Sequence, residues 1–125
     1  MSAYEAHKCP SPGGALRPLA RKTMNMIHVL AIITTKPGKR AEVLDHFHRN
    51  IPTVRAETGC IEYGPVVDAD NISGAAFGPD TFVVIEKWES REALAAHAKA
   101  PHMAAYAAKT QDIIADRAIH ILQNA

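Results

Sequence analysis

Glu86, Trp88, His97, His102 and Tyr106 are the residues in this chain whose types and spacing suit chemistry. A histidine ionises near neutrality, so His97 can take a proton from a weakly acidic substrate, with His102 as a second catalytic candidate. His102 and Tyr106 stand four apart, adjacent on one helical face, where they can donate hydrogen bonds to a developing oxyanion. Glu86 and Trp88 stand two apart in a run of strand-formers. They share a sheet face and can orient the base and line an aromatic slot, with Tyr63 as a further substrate-side candidate. Each has a plainer reading. A histidine on an apolar helical flank is often only hydrogen-bonded structure, and Trp88 and Tyr63 are the residues a core or interface uses. Glu86 can simply accept from a backbone amide or bridge to another subunit.

Other chemistry is disfavoured. His97 and His102 are five apart with Pro101 between, which is not a chelating spacing, and Glu86 completes no known ligand pattern, so no metal is expected. His46 and His48 point away from each other on a helix; His48 should border the core and His46 face solvent. There is no glycine-rich phosphate loop, nucleotide fingerprint or Ser/Cys nucleophile context.

The elements that must position these residues follow from periodicity. Residues 26–35 are apolar at both parities, which predicts a strand covered on both faces. Lys36-Pro37-Gly38-Lys39 is a turn. A helix follows from about Arg40, with Leu44, Phe47, Ile51 and Val54 as its core stripe and Pro52 loosening its last turn. Gly59 should end it as a left-handed C′ residue. Residues 60–68 read as a second strand, at an edge or with a bulge because Pro65 cannot donate to a ladder. Residues 69–80 form a long loop, either a tolerated insertion or, anchored by Phe77, a lid over a pocket or a contact across a dimer. A third strand covers 81–88. Ser90 then caps a helix carrying Leu94 and His97 on one face, and Pro101 starts another with Met103, Tyr106, Ala107 and Thr110 along one side. Residues 117–122 close the chain as a fourth strand.

At 125 residues the chain predicts one folded domain over 26–125, preceded by an extended arm over 1–25. That segment is rich in proline and glycine; it is either an arm that docks on a partner or sequence upstream of a start at Met24 or Met26. Net charge is +1, which gives no electrostatic case for nucleic acid or membrane binding, and no apolar run approaches a membrane span. Cys9 and Cys60 make no CxxC motif, so the expected location is a reducing cytoplasm.

The order βαββα(α)β is the ferredoxin-like arrangement, an α+β fold with helices on one face of a four-stranded antiparallel sheet. The other face would be left apolar, which predicts a homodimer. Ile33-Thr-Thr-Lys-Pro-Gly38, Arg55-Ala-Glu57-Thr-Gly59-Cys60, Glu86-Lys-Trp88, Ala96-His97 and Pro101-His102, taken in order, resemble the antibiotic biosynthesis monooxygenase domain family over about 26–122. The resemblance implies a dimeric α+β barrel, and among the family's activities oxygenation of quinols or polyketides by O₂ without metal or flavin. Haem-degrading members carry Asn, Trp and His at positions aligned with Ala31, His97 and Ala107, so that chemistry loses its support here. What remains is the quinol-monooxygenase-like group. A cofactor-free oxygenase acting on a small aromatic substrate is therefore the first expectation. An isomerase using the same base, or a non-catalytic dimeric ligand-binding module, is the alternative.

Overall fold

The computed structural model describes residues 25–125; 1–24, nearly all of the expected arm, lie outside the described residues. Seven elements follow: β1 Ile27–Thr35, α1 Arg40–Arg55, β2 Cys60–Val66, β3 Thr81–Trp88, α2 Arg91–Ala98, α3 Pro101–Thr110 and β4 Ile114–Gln123. The strands form one antiparallel sheet in the order β2-β3-β1-β4, the ferredoxin-like topology expected from the sequence. Pro65 lies on edge strand β2, and the register shifts between Cys60 and Glu62. The last strand starts earlier than its isoleucine pattern suggested, at Ile114 directly after α3.

β1 and β3 are read most simply by face. Ile27, Val29, Ala31 and Ile33 pair with Trp88, Glu86, Val84 and Phe82, and together they meet the helices. The helix side supplies Val43, Phe47, Ile51 and Val54 from α1. Val43 is fully buried in that stripe and Leu44 only packs against its edge, one position from the expected pattern. The expectation that β1 is covered on both faces does not hold in the single chain. Leu30 is 37% exposed, and no helix covers its side of the sheet, where it lies opposite Ile85 on β3 and His120 on β4. Two histidines also trade places, His46 being half-buried and His48 exposed.

α1 runs through Pro52 and is capped at Ala56, so Gly59 lies beyond the C′ position. Its left-handed φ of 86° is as expected, but it also serves a close approach. A Cβ there would stand 2.6 Å from the Ala93 Cβ at the start of α2. Ser90 caps α2 by accepting from the Ala93 amide at 3.1 Å, and Pro101 opens α3. These details fix where His97 and His102 emerge.

The long loop is organised by Asp68, whose carboxylate accepts from the amides of Phe77 (2.9 Å) and Gly78 (2.8 Å). Those bonds hold its pKa below the ordinary value. Phe77 is exposed, and no residue of 69–80 lines the cavity described below. No helix among the described residues is long and apolar enough to cross a membrane.

Candidate active site

A cavity of about 470 Å³ lies between the helix-facing side of the sheet and helices α2 and α3. Its lining is mainly apolar. Ala31 and Ala107 contribute small methyl-bearing wall positions, and Phe47, Met103 and Ile119 larger ones. Among the polar candidates from the sequence, His97, Glu86, Tyr63 and Tyr106 all reach it. The split βαβ topology explains this convergence. Tyr63 and Glu86 are register partners on β2 and β3, while α2 and α3 lower His97 and Tyr106 onto them.

Trp88 and His102 are not lining residues. Trp88 is fully buried on the same face as Glu86, and its indole N–H donates to Glu86 Oε1 at 2.9 Å. Its ring lies 4.6 Å from the His97 ring, centroid to centroid, so it backs the histidine as a wall. His102 opens on the outer side of α3, beside His46, Arg49 and Lys109.

The residue that sequence reasoning missed is Glu57. It sits in the short connection after α1 and brings its Oε2 to 3.0 Å from His97 Nδ1 and 2.6 Å from His102 Nε2. An ionised carboxylate oxygen can only accept, so both rings donate to it. In a neutral His97 that bond places the proton on Nδ1, and Nε2 has no hydrogen-bond partner among the described residues. The trace of Glu57 in the sequence was its place in the Arg55–Cys60 stretch that carries the family resemblance, and nothing in the spacing ties residue 57 to residues 97 and 102. These three also form a set able to hold a cation, with one ligand atom each and all within 4.8 Å of one another. The fold thus assembles what the His97–His102 spacing argued against, and its carboxylate is Glu57 rather than Glu86.

Burial shapes the electrostatics. It pushes the Glu86 carboxyl above its ordinary value, against the opposing pull of the Trp88 indole N–H and of His97. Tyr63 is driven far up, by burial first and then by Glu86, while Tyr106 rises to about 12 through burial, partly offset by Arg117. Both phenols are therefore donors at neutral pH. The Cys60 thiol, pushed up to about 11 by burial and then by Glu57, makes a poor nucleophile. Tyr63 stacks on Phe47 (5.1 Å) and meets the His97 ring edge-on (5.5 Å), which restrains the histidine from another side.

The arrangement can remove a proton inside a largely apolar chamber while holding two phenolic donors nearby. Known proteins place it further. The model of the family described as antibiotic biosynthesis monooxygenase matches residues 26–109. A curated relative from Escherichia coli (strain K12), "Probable quinol monooxygenase YgiN", is 44% identical over 101 residues, covering 78% of this chain and 97% of its own. A solved protein from Methanosarcina mazei Go1, described as conserved, superposes with a TM-score of 0.73 at 22% identity, covering 85% of this chain and 99% of its own. Rv0793 from Mycobacterium tuberculosis gives a TM-score of 0.67 at 26% identity, with coverages of 80% and 95%. The chain belongs to the antibiotic biosynthesis monooxygenase family and is similar to its quinol-monooxygenase-like members.

Proposed function

We propose that the protein is a monooxygenase that oxidises a small hydroquinone-like aromatic with O₂, with His97 as general base and no added cofactor. The observation that carries this reading is the His97 imidazole on the cavity wall, its Nδ1 engaged by Glu57 and its Nε2 without a hydrogen-bond partner among the described residues. His97 Nε2 takes the phenolic proton, and the electron-rich anion reduces O₂ directly. One oxygen atom forms a new carbon–oxygen bond to the ring and the other leaves as water, so that hydroquinone plus O₂ gives hydroxyquinone plus water. Tyr63 acts as a donor toward the oxyanion, and Glu86 lines the ring's edge. Trp88 and Glu57 are positioning residues for His97, and His102 holds Glu57 from the far side. The similarity to a relative named for quinol oxidation supports the same substrate class.

Oxygen-electrode assays with a panel of reduced naphthoquinones and benzoquinones test the reading. Substrate-dependent uptake, lost in His97→Ala, is expected; no uptake with any member would overturn it. Turnover that persists without O₂ would instead favour the isomerase alternative.

The same reading includes a homodimer closed across the uncovered sheet face. Leu30, Val66 and Leu122 are exposed there, in company with Ile32 and Ile85. An apolar surface of that extent is ordinarily covered.

A further inference from the structure

The cavity has two chemically different ends. At one end Glu86 faces His97; β1 pairs Val29 with Glu86 on one side and with Ile121 on the other. Four residues along β1, Ile33 pairs with Arg117 of β4. That interval is on the order of 13 Å of strand, and the long arginine side chain shortens it from the far end. Arg117 points to the helix-facing side of the sheet and lines the cavity, as does Lys99 just beyond α2. Among the described residues neither cation has an ion-pair partner. Glu86 is, among the described residues, the only acidic one in the lining. The Arg117 charge is felt at the Tyr106 phenol, which also lines the cavity and keeps its proton at neutral pH.

We propose that Arg117 and the Tyr106 hydroxyl form an anion-receiving end of the cavity, so that its ligands are aromatic rings bearing a carboxylate opposite the His97 end. A guanidinium presents paired donors that match a carboxylate, and the phenol adds a third. Both cations are exposed at the rim of a largely apolar chamber, where a ligand's carboxylate can pair with one of them while its ring enters the chamber. This assignment rests on the reading of the cavity as the substrate site and narrows the substrate class within it.

Calorimetric titration in oxygen-free buffer with 6-hydroxy-2-naphthoate, whose hydroxyl and carboxylate lie at opposite ends of the ring system, and its uncharged analogue 6-hydroxy-2-naphthamide tests it. The acid should bind the native protein about tenfold more tightly than the amide, equivalent to about 1.4 kcal/mol. Arg117→Gln should remove most of that preference while leaving amide affinity unchanged, and Arg117→Lys should restore part of it. Equal affinity for acid and amide, or failure of both to bind, overturns the assignment. So does a preference that survives Arg117→Gln, or one that disappears in Lys99→Gln instead. Because no turnover is read, a protein that prefers the acid yet consumes no O₂ with any hydroquinone would defeat the oxygenase reading and leave this one standing.

Discussion

Replacing Glu57 separates what it contributes to the fold from what it contributes to the base. His97 is buried and donates from Nδ1 to Glu57 Oε2, so Glu57→Ala strands a buried donor, at about 1–3 kcal/mol. His102 is the more exposed ring and can turn to water, which adds no more than about 1 kcal/mol. The expected loss is therefore about 1–4 kcal/mol. Glu57→Gln keeps an acceptor oxygen but loses the charge that strengthens both bonds, so its loss should be smaller, about 1–2 kcal/mol. Urea unfolding can be followed through Trp88, the chain's single tryptophan, whose ring lies 4.6 Å from that of His97. Turnover should follow the same order. Glu57→Ala frees the imidazole to rotate and change tautomer and should lower O₂ uptake on the order of 100-fold, while Glu57→Gln keeps the larger part. A Glu57→Ala protein within about 0.5 kcal/mol of the native one, or equal turnover in the two variants, would refute the reasoning.

Burial raises the Glu86 pKa above 4.5, so the folded state holds this proton more tightly and stability falls as pH rises through the window above 4.5. Glu86→Gln removes that slope and keeps an oxygen for the Trp88 indole; its urea midpoint relative to the native protein should rise between pH 4 and pH 7, and a constant difference would count against the shift. Gly38 and Gly59 both have positive φ, but only Gly59 has a neighbour in the way, so Gly59→Ala should cost more than Gly38→Ala by the overpacking penalty of about 1–3 kcal/mol. Equal losses in thermal unfolding would show that backbone strain alone matters. If the open sheet face is the dimer interface, Leu30→Lys should convert a dimer to a monomer in light-scattering chromatography, and a native protein that already runs as a monomer defeats the idea.

Most of the fold was legible because its signals are local. Ser90 and Pro101 mark helix starts through their own backbone chemistry, and Pro65 can only sit where a ladder bond is absent. What failed was reading coverage from composition. β1 is apolar at both parities, yet only one face meets helices in this chain; periodicity reports what a side chain prefers and not what is available to cover it. The one-position change from Leu44 to Val43 has a similar origin. Both fit a three-and-four spacing with Phe47, and the tilt of α1 against the sheet, a tertiary quantity, selects between them.

The site divides along the same line. His97, Glu86, Tyr63 and Tyr106 could be nominated because strand parity and helical spacing already put them on inward faces. Glu57 could not, since it lies in a connection with no period, forty residues before His97 and forty-five before His102. Yet it is the residue through which the two histidines meet, and it engages one nitrogen of His97. Arg117 escaped for another reason. In an edge strand an arginine reads as solvated, and only the pairing of Ile33 with Arg117 puts it on the cavity's side of the sheet. A search of such a chain for chemistry should therefore extend from the residues that titrate near neutrality to the ordinary charges that topology brings beside them, because those charges decide which nitrogen is free and which ligand is welcome.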